Sequence, residues 1–102
     1  MVQLVKWYQE ESPSKNNIRT QMEAEGLSVQ MWKKGSGENQ EPAAAEKGLS
    51  LCVIDGMARV ILPDSPEGYE DLMAGDRIDI PSGTKFGLLV GPAGVTMMQG
   101  VN

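Results

Sequence analysis

Apolar and polar residues alternate with a period of two through much of the chain, a pattern that predicts short β-strands. The clearest case lies within residues 75–86, where Ile78 and Ile80 alternate with polar neighbours and Pro81 ends the strand. A nearly continuous apolar run at residues 49–54 predicts a strand that is buried on both faces. Further strands are predicted at residues 2–7, 27–33, 57–62, 69–73, 85–90 and 95–101.

Turn-forming residues between these strands predict how they are joined. Asp55-Gly56 lies between two strand-forming runs and favours a type I′ hairpin, because both central residues of that turn need a positive φ. Residues 91–94, Gly-Pro-Ala-Gly, predict a second hairpin between the last two strands. Residues 35–46 are polar and rich in glycine, so we expect a loop or a weakly paired strand there.

One segment has the pattern of a helix instead. Ser12 and Pro13 are typical of a helix start, and Ile18 and Met22 lie four residues apart on one helical face. We therefore expect a short helix at residues 15–25, packed on the outside of a sheet. Many short strands with a single helix predict an all-β sandwich or barrel.

Length and charge limit the organisation and the partners. The chain has 102 residues without a repeat or linker, so we expect a single domain over residues 1–102, with a strand and helix in 1–26 and a barrel in 27–102. A net charge of −5 argues against nucleic-acid binding, which needs clustered cations. Neither a membrane span nor a signal peptide is expected from the sequence, so a cytoplasmic protein is expected.

Reactive side chains are scarce. The chain contains no histidine, so the commonest metal ligand and the commonest general base at neutral pH are both missing. Cys52 alternates with Leu51, so it should face away from the barrel centre, and we interpret it as a small apolar residue. Glu38, Glu41 and Glu46 are either an oxygen-only cation site or, as we favour, solvated loop charges.

The spacing of glycine and proline resembles the two signatures of the cupin family. The second signature runs Gly, five residues, Pro, one residue, Gly, two residues, His, and Gly75, Pro81 and Gly83 match its framework. The first signature runs Gly, five residues, His, one residue, His, three or four residues, Glu, six residues, Gly, and Gly37 and Gly56 match its ends. The resemblance implies a small single-domain cupin of the RmlC-like type, with a jelly-roll barrel, also called a double-stranded β-helix.

The positions that bind metal in typical cupins hold only carbon side chains in this sequence: Ala43, Ala45, Leu49 and Phe86. None of these has a nitrogen, oxygen or sulfur atom for an ion, so we expect no metal and no cofactor. The period of two extends this apolar lining along the strands. The predicted barrel lining, which would contact a ligand, comprises Ala43, Ala45, Leu49, Leu51, Val53, Phe86, Leu88 and Val90.

Two functions stay open at this point. The favoured one is a metal-free cupin without catalysis of its own, either a structural module with a filled core or a module that binds a small apolar or planar ligand. The alternative is a metal-independent isomerase or lyase for a sugar-like or keto substrate, which would need Glu, Lys or Tyr with a shifted pKa. The resemblance also implies a homodimer that pairs through an outer sheet face and exchanges the strand at residues 2–7.

Overall fold

A computed structural model of the chain describes residues 3–5 and 15–101. Within these residues the chain forms a mostly β structure with a short helix before the long strands, as the alternation and the helix signals predict. The elements are β1 (Gln3–Val5), α1 (Lys15–Ala24), β2 (Ser28–Lys34), β3 (Gln40–Ala44), β4 (Leu49–Ile61), β5 (Tyr69–Met73), β6 (Arg77–Ile80) and β7 (Lys85–Val101).

The two longest strands, β4 and β7, run antiparallel beside each other and organise the sheet. Their pairing extends from Leu49↔Val101 at one end to Ile61↔Gly87 at the other, with irregular register near the middle. Layer A contains β1, β6, the first half of β4, the second half of β7 and β2. Layer B contains β5, the second half of β4, the first half of β7 and β3. Both layers therefore share the same two central strands.

The prediction of hairpins at residues 55–56 and 91–94 was wrong. At both places the chain bends within a continuous strand, β4 or β7. Residues before and after Gly56 pair with β7. On β7, Val90 and Val95, which lie before and after Gly94, both pair with β4. Gly56 and Gly94 both have a φ of 81°. A Cβ atom on Gly56 would lie 2.2 Å from the carbonyl oxygen of Gly94, so the strands meet where a side chain has no room. The positive φ that Asp55-Gly56 indicates is present, but it serves a bulge within one strand rather than a turn.

Strand β3 occupies the segment predicted as a loop or a weakly paired strand, and the second alternative is correct. All of its residues are exposed. It pairs with β7 at Gln40↔Leu88, Ala43↔Phe86 and Ala44↔Lys85, with a register irregularity between the first two pairs. Its other side has no strand partner among the residues described, so β3 forms one edge of layer B, as β2 forms one edge of layer A.

An apolar core fills the space between the layers. Its buried members come from four strands and from the residues that follow β3 and β4, and burying one of the larger aliphatic side chains contributes about 1.5–3 kcal/mol. The core comprises Ala45, Leu51, Val53, Ala58, Val60, Leu62, Leu72, Ile78, Ile80, Leu88, Val95 and Met97.

A second apolar cluster lies on the opposite face of layer A. Ile18 and Met22 of α1 pack there with Cys52 and Met98. This contact confirms that the helix covers the outside of the sheet. It also explains why residues 49–54 form a continuous apolar run, because that part of β4 is covered on both faces, as predicted.

A hydrogen-bonded network of charged residues connects the end of α1 to layer A. Arg77 Nη2 donates to Glu25 Oε1 at 2.7 Å, and Arg77 Nε donates to Asp79 Oδ1 at 2.9 Å. Ser50 Oγ donates to the same oxygen of Asp79 at 2.6 Å. The hydrogen bond to Glu25 is the main cause that raises the pKa of Arg77 above its ordinary value. The network therefore holds the residue after the helix against β6.

Strand β1 is the described part of the strand predicted at residues 2–7, and the rest of that prediction lies outside the described residues. β1 pairs antiparallel with β6 of its own chain, from Gln3↔Asp79 to Val5↔Arg77. The exchange of this strand between two copies, which the cupin resemblance implies, stays a prediction, because the structure contains a single copy of the chain.

Candidate functional site

The structure places most of the predicted barrel lining against the core between the layers. Ala45, Leu51, Val53 and Leu88 are buried members of the core. Leu49, Phe86 and Val90 are partly buried and pack against it. Their contribution to ligand binding stays a prediction.

Ala43 is the exception among these residues, and its place in the barrel lining stays a prediction. It is exposed, although it is the cross-strand partner of Phe86. The reason is its position on an edge strand, because β3 has a neighbouring strand on one side and leaves Ala43 uncovered on the other. The interior of the barrel is thus open towards β3.

The four positions that match the metal ligands of typical cupins do not fit a metal ion. Ala45 connects to the neighbouring loop through its backbone, where its N–H donates to Thr84 O at 3.0 Å and its oxygen accepts from Gly83 N at 2.8 Å. The side chains of Ala43, Ala45, Leu49 and Phe86 contain no atom that coordinates a cation. Elsewhere in the described part of the chain, no three Cys, Asp or Glu side chains converge as a metal site would require, including those of the Glu38–Glu46 region.

A pocket of about 240 Å³ lies on the open side of the barrel, between the edge strands β2 and β3. Trp32, Lys33 and Lys34 contribute from β2, Gln40 from the start of β3, and Gln99 from β7. The pocket therefore combines an aromatic ring, the Lys34 ammonium and two carboxamides, while the Lys33 side chain alternates to the other face of β2.

Trp32 connects this pocket to the core. It is the cross-strand partner of Met97, so both side chains lie on the inner face of layer A. Its partly buried ring packs against the core, and its indole N–H donates to Gln99 Oε1 at 3.3 Å. The Lys34 ammonium lies 5.5 Å from the centre of the Trp32 ring, within the range of a cation–π interaction. These contacts fix the polar groups of the pocket relative to one another.

The sequence did not indicate this site. Its alternation places Gln30 and Trp32 on one face of β2, but alternation does not show that this face borders a pocket. Gln40 and Gln99 come from strands far apart in the chain, and no local pattern marks two glutamines as neighbours. The usable signal was an aromatic residue that alternates with a lysine on an edge strand, because such a strand borders the opening of a barrel.

The outer face of layer B carries exposed apolar side chains, which we call the outer patch: Met57, Met73 and Leu89. Their exposed fractions are 42%, 60% and 43%. Met57 and Met73 are cross-strand partners on β4 and β5. A shallow depression of about 230 Å³ lies beside Met57 and Leu89 and extends to Pro92. The patch is separated from the pocket by the core.

Cys52 lies behind layer A, as its alternation with Leu51 predicts. Its side chain is 2% exposed and packs with Ile18, Met22 and Met98. Burial raises the pKa of the Cys52 thiol to about 12. The thiol is therefore protonated at neutral pH and has little nucleophilic character.

The comparisons with known proteins concern the fold. No protein-family model matches the chain, and no curated protein matches it in sequence. Among solved structures, a chain from crystal structures of DMSP lyases superposes with a TM-score of 0.67 and 16% identity over 74% of this chain, but the match spans only 38% of the lyase chain. An RmlC-like cupin from Shewanella frigidimarina gives a TM-score of 0.63 and 19% identity, covering 74% of this chain and 64% of that one.

A third structure matches the chain from end to end. A DUF861 family protein from Thermotoga maritima has a TM-score of 0.64 and 15% identity, and the match covers 100% of both chains. The chain therefore has the fold of the small cupins, a jelly-roll barrel. This confirms the fold that the glycine and proline spacing implies. Proteins of this fold include enzymes, so the fold alone does not assign a function.

One further observation concerns membranes. In the described ranges, α1 is too short and too polar to cross a bilayer.

Proposed function

We propose that this protein is a metal-free binding module that holds a small planar ligand in the pocket between β2 and β3 and catalyses no reaction on it. The observation that carries the proposal is the position of Trp32, which has one part of its ring against the core and borders an open pocket of about 240 Å³. Concave sites with an aromatic wall and a few polar groups are typical of small-molecule binding.

The groups in the pocket support binding rather than catalysis. General acid and base catalysis needs titratable groups placed in pairs whose environments move their pKa values apart. The described residues that line the pocket include two lysines but no carboxylate. The positions that carry metal ligands in typical cupins offer only carbon. A lyase or isomerase, the alternative function, would have to build its acid and base from groups outside this lining.

The test is a titration followed by nuclear magnetic resonance, with benzamide as the probe because it is planar, neutral and small. The Trp7→Phe variant leaves Trp32 as the single tryptophan, since the chain has two. We expect benzamide to shift the indole N–H resonance of Trp32 in a saturable way. The Trp32→Leu variant, in which the backbone amide resonances of Lys34 and Gln99 are followed instead, should lose this binding. Met31→Leu should retain it because Met31 alternates to the other face of β2.

Two outcomes would contradict the proposal. Saturable binding that leaves Trp32 and its neighbours unperturbed would place the ligand elsewhere. Failure of benzamide and of every other planar probe to bind, with the fold intact by circular dichroism, would instead favour a structural module. Turnover of a bound carbonyl compound by the purified protein would favour the lyase or isomerase alternative.

A further inference from the structure

We infer that the ligand of this pocket is a planar carboxylate whose negative charge is bound by Lys34. The inference rests on the proposed function, because it assigns the chemical class of the ligand to the same pocket. Three observations support it: the charge of the lining, the fixed position of Lys34, and the orientation of the Gln99 side chain.

The charge of the lining differs from that of the molecule as a whole. The chain has a net charge of −5, yet the described pocket residues contribute the positive charge of Lys34 and no Asp or Glu. A concave site with one sign of charge concentrates ligands of the opposite sign. The lining therefore favours an anion, although the chain as a whole is negatively charged.

The Lys34 side chain is already ordered near the place where the charge is needed. It is partly buried, and its ammonium group lies 5.5 Å from the centre of the Trp32 ring. Moving the ammonium onto a carboxylate exchanges a cation–π contact of about 0.5–1 kcal/mol for a charge-assisted hydrogen bond of about 1.5–3 kcal/mol, so the exchange is favourable. When a carboxylate enters, the ammonium moves from the ring face to the carboxylate and remains partnered in both states.

The Gln99 side chain is oriented to donate hydrogen bonds. The indole N–H of Trp32 is a donor, so the Gln99 atom that meets it at 3.3 Å must be the carbonyl oxygen. The amide N–H groups of Gln99 then point away from the indole, and within the described part of the chain the structure shows no acceptor for them. They suit a carboxylate oxygen. Gln40 brings a second carboxamide from the opposite edge.

The planar part of the ligand follows from Trp32. Once Lys34 has moved to the carboxylate, the exposed face of the indole is available for a flat apolar body. Offset stacking of two rings is favourable by about 0.5–1.5 kcal/mol beyond the area that it buries. A branched or saturated body of equal charge lacks this contact.

The experiment separates charge from shape with four probes: benzoate, benzamide, cyclohexanecarboxylate and acetate. Each is titrated into the Trp7→Phe protein while the Trp32 indole resonance is followed. A charge-assisted hydrogen bond contributes about 1.5–3 kcal/mol, so we expect benzoate to bind about tenfold or more tightly than benzamide. We expect cyclohexanecarboxylate to bind several-fold more weakly than benzoate, and acetate to bind most weakly of the carboxylates.

Variants then test the role of Lys34. Lys34→Gln should weaken benzoate binding about tenfold or more and leave benzamide binding nearly unchanged. Lys34→Arg should restore most of the preference for benzoate. Lys85→Gln removes the same charge from an exposed position on β7, whose alternation places it away from the core, and should leave both probes unaffected. Higher salt should weaken the binding of benzoate more than that of benzamide.

The outcomes distinguish this inference from the proposed function. Equal affinity for benzoate and benzamide at the Trp32 pocket would overturn the inference and leave the binding function intact. A preference for benzoate that survives in Lys34→Gln would overturn the assignment of the charge to Lys34. Absence of binding by all four probes would contradict both proposals.

Discussion

Cys52 shows how the surroundings of a single residue control its chemistry. Its thiol is enclosed by the helix on one side and by β4 and β7 on the other. Burial is the largest cause that raises its pKa to about 12 from an ordinary value of 9.0, and the positive charge of Arg77 only partly opposes it. The folded protein therefore binds the thiol proton more tightly than the unfolded chain does.

The pH dependence follows from this difference. Because the pKa in the folded state is the higher one, the protonated thiol contributes its full stabilisation below about pH 9, and that contribution is lost as the pH rises towards 12. We expect the free energy of unfolding of the wild type to fall more steeply over this range than that of Cys52→Ala, by about 1.4 kcal/mol per pH unit. Urea unfolding of both proteins at a series of pH values measures the difference. Parallel curves would show that the thiol titrates normally.

At the residue scale, the sequence predicts which side chains are buried. It does not predict hydrogen bonds between residues that are far apart in the chain. The alternation of Leu51 with Cys52 correctly separates the core from the cluster under the helix. By contrast, the hydrogen bond between Trp32 and Gln99 joins residues 67 positions apart, and no local pattern contains it. The hydrogen bond from Ser50 to Asp79 likewise joins two strands and has no local signal.

At the scale of the elements, the bends in β4 and β7 determine the architecture. Each bend lies at a glycine with a positive φ, and the two glycines are close in space. A local pattern identifies such glycines as places where the chain can change direction. It does not distinguish a hairpin, where the chain reverses, from a bulge, where the strand continues into a second layer. That choice depends on whether a neighbouring strand bends at the same level, which is long-range information.

Gly56 offers a direct test of this arrangement. We expect Gly56→Ala to destabilise the protein by about 3 kcal/mol or more, because the new Cβ combines an unfavourable φ with a clash against the Gly94 backbone. Gly68→Ala is the matched control: Gly68 has a φ of 80° and nothing within 4 Å of its would-be Cβ. It should cost only about 1 kcal/mol. Thermal or urea unfolding compares the two, and equal losses would mean that the contact with Gly94 is unimportant.

At the scale of the whole molecule, the outer patch is the surface on which we propose that a second copy of the chain packs. Its apolar residues lie beside the Arg59–Asp71 ion pair, in which Arg59 Nε and Asp71 Oδ1 are 2.7 Å apart. A second copy that packs here about a twofold axis would bring the apolar residues of the two patches together, as the interface of a symmetric dimer requires. The homodimer implied by the cupin resemblance would then use the outer face of layer B.

Met73 lies in this face and is the most exposed of the large apolar residues described. We expect Met73→Glu to shift the protein towards monomer, because a charge would be buried at the apolar part of the interface. Met31→Glu, on the outer face of layer A, introduces the same group away from the patch and should leave the assembly unchanged. Sedimentation velocity over a range of concentrations measures the association. A wild-type protein that stays monomeric throughout would contradict the proposed dimer.

The continuity of β4 and β7 also limits the routes by which the proposed ligand could reach its pocket. Both strands run through both layers. The layers therefore cannot separate by a hinge motion without breaking backbone hydrogen bonds between β4 and β7. The opening that remains is the gap between β2 and β3. Residues 35–39 connect these two strands, and the Asn39 carboxamide oxygen accepts a hydrogen bond from Val90 N at 2.9 Å. We expect motion of that short connection to govern how fast the proposed ligand enters and leaves, while the two layers keep their arrangement.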